Sequence, residues 1–266
     1  MSEAIRKIVA IGGGSRKYVG DGEKQTYEIV ELDREILRLS GKEKPRVLFL
    51  AHAQAASDYE HEKKDHDSFY KRYSTLFDCD VRWLTVSELK EDPEKAKADA
   101  AWADIIYEAG GNTVAMIGLW RKTGFDDVLK DAWTAGKVMC GISAGAICWF
   151  ALGNTGVKEY KDREINKIQG LGFIDAYFSP HCQKEGKRES ELRSLKHIAK
   201  VGLSASDCSA IEIVGDRYRV LKSTPADGSF KPYVLRTYWK DGKLYEEELA
   251  ESDGFRSLDR LLEMRE

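Results

Sequence analysis

The chain has 266 residues, 42% hydrophobic and 33% charged, which is enough apolar material for a sizeable core and excludes disorder as a description of the whole. Lysine and arginine total 42 against 45 acids, a formal charge of -3, so no global positive excess exists to hold a phosphate backbone and no nucleic-acid partner is expected. The longest apolar run, 138–152, is broken by Gly141, Ser143 and Gly145 and is too short to span a bilayer, so no membrane partner is expected either.

In chain order, Lys7 to Ile11 reads as a first strand that ends in Gly12-Gly13-Gly14. Ile29, Leu32, Ile36 and Leu39 form a helical stripe within Thr26 to Leu39, closed by Gly41. Arg46 to Leu50 is a second strand, His61 to Phe77 a helix with an aromatic face, and Val81 to Val86 a third strand. Asp104 to Tyr107 is a fourth strand, running into Glu108-Ala109-Gly110-Gly111-Asn112-Thr113, and helices follow over Thr113 to Arg121 and Asp126 to Ala135. Lys137 to Ile142 reads as a buried strand and Ala144 to Leu152 as a buried helix. Lys158 to Lys167 is the best candidate for an exposed loop. Beyond residue 200, Ala210 to Val214 with Tyr218 to Lys222, and Tyr233 to Trp239 with Lys243 to Glu248, read as two β-hairpins that extend one edge of the sheet, and a short helix spans Ser257 to Met264. The alternation of strands and helices predicts one α/β domain over 1–266, a mostly parallel sheet flanked by helices. The tyrosine-rich hairpins are the candidate surface for a homodimer. Residues 1–30 lack the apolar core of a signal peptide, and the cysteines at 79, 140, 148, 182 and 208 have no metal-type spacing. A reduced, cytoplasmic chain without disulfides is expected.

Cys140-Gly141-Ile142-Ser143-Ala144-Gly145 matches the G-x-S-x-G nucleophile elbow between an apolar strand and an apolar helix. So sharp a turn pushes the Ser143 hydroxyl out over the sheet and requires small neighbours, while the following helix aims its free N–H groups at the site. Such a serine needs a base, and after Ser143 only His181 and His197 are available. His197 faces away from the stripe of Leu192, Leu195 and Ala199 on its helix, as a solvated residue would, whereas His181 follows an apolar run that stops at Pro180. The orienting acid is Asp207, with Glu159 and Asp175 as competitors. The order serine, histidine, acid differs from that of an α/β-hydrolase.

These residues resemble the peptidase E (aspartyl dipeptidase) family and its cyanophycinase relatives, serine peptidases on a flavodoxin-like scaffold similar to class I glutamine amidotransferases. The resemblance covers residues 5–220 and rests on Ile8 to Gly14, Glu108 to Thr113, Gly141 to Ala146, Ser179-Pro180-His181 and Gly202 to Ile213. It implies a three-layer fold, a Ser143–His181–Asp207 triad, an oxyanion hole from the N–H groups of Gly111 and Ala144, and an Asn112 that shapes that loop or touches substrate. It further implies a metal-independent enzyme without cofactor, acting on small peptides with an N-terminal aspartate. Such a substrate needs a cation for its side chain, for which Arg188 matches a basic position in relatives, and an acid for its α-amino group, near which Glu159 lies. His52, at the end of the second strand, is a further candidate to touch substrate. Serine at the elbow, with Cys140 set back on the strand, argues against glutaminase activity. Gly12-Gly13-Gly14 completes no phosphate-loop motif. The rivals are a cyanophycinase-like β-aspartyl-arginine peptidase and a ligand-binding member of the fold without chemistry.

Overall fold

The structure is a computed structural model that describes residues 4–17, 26–54, 59–161, 163–226, 228 and 230–265. Its first sheet is built as expected from β1 (Lys7–Ile11), β2 (Arg46–Leu50), β3 (Asp80–Leu84), β4 (Ile105–Glu108) and β5 (Val138–Ile142). These run parallel in the order β1-β5-β4-β2-β3. Strands buried on both faces explain the near-continuous apolar runs such as Val138–Ile142, every residue of which is buried. Helices cover the sheet: α1 (Val30–Ser40) turns Leu32, Ile36 and Leu39 inward and stops at Gly41, whose φ of 66° suits the left-handed cap. The aromatic face expected over 61–77 lies on α2 (Tyr59–Tyr70) and a π-helical turn, Lys71–Leu76. Two helices in the span left unassigned by periodicity, α3 (Val86–Glu91) and α4 (Pro93–Trp102), are started by a Thr85–Glu88 capping box and by Asp92 with Pro93. Then α5 (Thr113–Thr123) and α6 (Phe125–Thr134) lead into β5.

Beyond β5 the structure departs from expectation. The helix after Ser143, α7, spans only Ala144–Ile147, and the chain turns at once into a strand, β6 (Phe150–Gly153). An unbroken apolar run does not distinguish helix from strand by its period, and here Trp149 lies in the turn and Phe150 opens the pleated strand. Their carbonyls accept the N–H groups of Ile174 and Gly172. Lys158–Lys161 forms a short helix, α8, and Asn166 is buried, so 158–167 is not an open loop throughout.

The C-terminal half builds a second sheet. Its strands are β7 (Ile168–Gln169), β8 (Ile174–Pro180) and β9 (Gly202–Ala205), with α9 (Lys187–Leu195) between the last two. The predicted hairpins divide between the sheets. β10 (Ser209–Val214) extends the first sheet antiparallel to β1, and β11 (Arg217–Lys222) pairs antiparallel to β10 beyond it. β12 (Val234–Lys240) and β13 (Lys243–Glu248) join β9 in the second, whose order is β13-β12-β9-β8-β6-β7. The strand β14 (Arg256–Ser257) pairs with β11, and α10 (Leu258–Leu262) ends the chain's regular structure. One apolar cluster runs through both sheets, from Ile8 and Leu48 to Phe178 and Val234. The two sheets meet where β1, β5, β8 and β9 end, and the chain passes from one to the other at Asp207, between β9 and β10.

Candidate active site

Ser143 sits at the tip of the strand–turn–helix with φ 58° and ψ -114°, a conformation that non-glycine residues rarely adopt. The turn closes because its flanking residues lack side chains. A Cβ on Gly141 would lie 2.4 Å from the Gly145 carbonyl oxygen, and one on Gly145 would lie 2.2 Å from that of Glu108. The Ser143 hydroxyl is 2.9 Å from Nε2 of His181. On the other side of the ring, Nδ1 of His181 hydrogen-bonds Oδ1 of Asp207. With the Nδ1 proton donated to the carboxylate, Nε2 is left as the acceptor for the serine proton. Burial opposes the Asp207 charge, but the hydrogen bond to His181 and the nearby Lys184 outweigh it and hold the carboxyl below its ordinary range. Of the competing acids, Asp175 pairs with Lys200 and does not reach the imidazole. His197 lies at the surface beside Glu164, 3.4 Å away.

The spacing of the three groups is set by the end of β1. Consecutive carbonyls of Ile11, Gly12 and Gly13 accept the N–H groups of Ser143 (3.0 Å), His181 (3.2 Å) and Cys208 (3.0 Å). His181 and Cys208, like Ser143, have positive φ, 55° and 60°. The glycine run that completes no phosphate loop therefore has another purpose. A Cβ on Gly13 would stand 1.9 Å from Oδ1 of Asp207 and 2.4 Å from the His181 ring, so only glycine leaves room for the pair.

Ser143 and His181 open into a pocket of about 540 Å³, lined also by Gly111, Asn112, Ala144, Asn154, Lys158, Glu159, Lys184 and Lys187. Gly111 and Ala144 thus flank the serine. Because α7 is a single turn, little macrodipole reaches the site; the useful donor is the Ala144 N–H itself, which at the first helical position has no intrahelical acceptor. Asn112 caps α5, its Oδ1 accepting the Ala115 N–H at 3.0 Å, so it shapes the loop. Glu159 is in the pocket as expected. Among the described residues no cluster of His, Cys, Asp and Glu is placed to hold a metal ion.

Two expected substrate contacts are elsewhere. Arg188 pairs with the fully buried Glu191 at 2.8 Å and with Glu246, and donates to Thr237, turning away from Ser143 into the second sheet. His52 is completely buried, its Nε2 donating to the Leu84 carbonyl and its Nδ1 accepting from Trp120, and burial pushes its pKa down to about 4. The neighbour of Arg188 takes the place expected of it. Lys187 lines the serine pocket, and among the described residues it has no acidic partner. Burial, and then the charge of Lys184, hold its ammonium below the usual lysine range. In the sequence it is Arg188, not Lys187, that is the candidate for this cation. The five cysteines are all free and buried, and burial drives the Cys140 thiol far above its ordinary value, away from nucleophilic use.

The chain belongs to peptidase family S51, whose family model matches residues 18–221. It is 32% identical over 216 residues to the uncharacterized peptidase YgaJ of Bacillus subtilis (strain 168), a match covering 80% of this chain and 85% of that protein. Its fold is similar to the crystal structure of a peptidase from an acI-B1 Actinobacterium, with a TM-score of 0.72 at 16% identity over 96% of this chain and 98% of the other. It is also similar to a candidate peptidase E protein from Listeria monocytogenes EGD-e, with a TM-score of 0.61 at 19% identity over 83% of this chain and 100% of the other. The protein is a serine peptidase of the peptidase E type.

Proposed function

We propose that the protein is an exopeptidase that removes N-terminal aspartate from dipeptides, with Ser143, His181 and Asp207 as its triad. His181 Nε2 takes the Ser143 proton as Oγ bonds to the scissile carbonyl carbon, and the resulting oxyanion is met by the N–H groups of Gly111 and Ala144. The C–N bond then breaks as the imidazolium protonates the leaving amine. A water molecule, deprotonated by His181, adds to the acyl carbon, and the imidazolium returns that proton to Oγ as the acyl–Oγ bond breaks. Asp207 keeps the imidazole in the tautomer that accepts at Nε2.

The observation that carries the aspartate reading is Lys187, a largely buried ammonium in the serine pocket with no acidic partner among the described residues. Buried charges are retained when they are paired, and here the missing partner fits a substrate carboxylate. Lys187, supported by Lys184, takes the role first given to Arg188, and Glu159 receives the substrate's α-ammonium. Five buried free thiols support a reducing, cytoplasmic setting.

Hydrolysis of Asp-Leu, Asn-Leu and β-Asp-Arg tests the reading. Asp-Leu should be preferred; equal turnover of Asp-Leu and Asn-Leu would remove the aspartate specificity while leaving the peptidase. Lys187→Met should raise KM for Asp-Leu by about 10- to 150-fold, the worth of one charge-assisted hydrogen bond at roughly 1.5–3 kcal/mol, and spare Asn-Leu. The pH dependence has a definite sign. The ammonium binds carboxylate below its pKa, and that pKa is depressed, so KM for Asp-Leu should begin to climb at a pH below the ordinary lysine value of about 10.4. The climb should vanish in Lys187→Met.

A further inference from the structure

We infer that Glu108 is a positioning residue for the oxyanion loop: its carboxyl clamps the short turn His52–Gln54, and that turn holds Gly110, Gly111 and Asn112 against Ser143. The inference rests on the reading of the Gly111 N–H as an oxyanion donor.

Glu108 is the last residue of β4 and is fully buried, where a leucine would pack at far less cost. What the carboxyl supplies is an acceptor. Its Oε1 takes the N–H of Ala53 at 3.0 Å, a donor in the first turn of a helix that has no acceptor of its own there. The Ala53 carbonyl in turn accepts the Asn112 N–H at 2.7 Å. The same carbonyl lies beneath Gly111, where φ is +150° and a Cβ would come within 2.5 Å of it. The next residue of the turn, Gln54, donates from Nε2 to the Gly110 carbonyl at 3.1 Å. Gly110 in its turn abuts the nucleophile, since a Cβ there would be 3.3 Å from that of Ser143. His52 fastens the far side of the turn to Trp120 of α5, the helix that the loop enters. A carboxyl on one strand thereby fixes the loop that leaves the same strand, by way of a turn from the neighbouring strand.

The remaining oxygen of Glu108, Oε2, is buried and has no hydrogen-bond partner among the described residues. Burial, reinforced by the charges of Glu62 and Asp65, pushes this carboxyl well above its ordinary range, against the N–H of Ala53, which favours the charge. Glutamine keeps an oxygen acceptor at the same reach, whereas leucine removes the acceptor and keeps the bulk.

The test compares Glu108→Gln, Glu108→Leu and Gln54→Met in Asp-Leu hydrolysis and in the rate of Ser143 labelling by a fluorophosphonate. Glu108→Gln should keep kcat within about 3-fold and leave its pH profile unchanged, while a folded Glu108→Leu should lose roughly 10- to 100-fold in kcat at constant KM, approaching the effect of deleting one oxyanion donor. Labelling should slow in parallel, and Gln54→Met should move both rates in the same direction. Wild-type kcat in Glu108→Leu, or in Gln54→Met if the leucine variant does not fold, overturns the inference. So does equal damage from glutamine and leucine. A wild-type serine that takes no fluorophosphonate overturns the hydrolytic reading itself, which separates the two failures.

Discussion

Replacing Ser143 by alanine should lower kcat for Asp-Leu by about 10^6-fold, the loss seen when a triad nucleophile is deleted, while the protein stays folded. Alanine keeps the Cβ and removes only Oγ, so the backbone bond from residue 143 to Ile11 and the His181–Asp207 pair both persist. The residual rate belongs to the Gly111 and Ala144 donors acting on a bound peptide. Steady-state hydrolysis, paired with circular dichroism and a melting curve, provides the measurement. A folded variant that retains wild-type kcat would show that another group attacks the peptide bond. Cys140 is the nearest thiol in sequence, and it is buried in the strand with Sγ on the Ile106 carbonyl.

Gly13→Ala should be almost as damaging, although Gly13 offers the substrate no side chain. The new methyl group would need the space of Oδ1 of Asp207 and of the His181 ring, at 1.9 and 2.4 Å. Neither is the free end of a flexible chain, because each is fixed by the other and by β1. The pair must part, and an imidazole without its orienting acid loses about 10^4-fold in kcat. Gly118→Ala is the matched control. Gly118 lies within α5, nothing stands within 4 Å of its built Cβ, and alanine there should stabilise the helix by about 0.5–1 kcal/mol with activity intact. If both variants were equally active, the tight fit beneath the histidine would have no catalytic meaning.

The three residues proposed as the triad were legible because each has a local signature: a serine framed by Gly141 and Gly145 after an apolar strand, a histidine after Pro180, a carboxylate before Ala210–Val214. What failed depended on partners far away in the chain. Lys187 and Arg188 are adjacent, but on a helix adjacent side chains point about 100° apart, and which of them faces the serine is decided by Glu191 and by Glu246, 58 residues from Arg188. His52 stands at a strand end where ligands commonly bind, yet it is consumed by Leu84 and Trp120, 32 and 68 residues distant. The second sheet escaped for a related reason: β6, β8 and β9 pair in parallel through long connections, and short apolar runs do not announce which neighbour they will choose. Gly13 and Glu108 show the opposite case, in which residue type is plain in the sequence but its purpose needs distances.

The three consecutive carbonyls at the end of β1 also determine how the site comes apart. Ser143, His181 and the residue after Asp207 hang from Ile11, Gly12 and Gly13, each with a backbone that resists its own conformation. One opening of that strand end releases all three at once, so inactivation is a single cooperative event instead of the gradual loosening of separate loops. Hydrogen exchange of the Ser143, His181 and Cys208 amides should then report a common opening free energy, smaller than that of the core of β5, and warming should extinguish activity at the temperature where those three protections fail together. Three unrelated protection factors would mean that the catalytic groups are held independently.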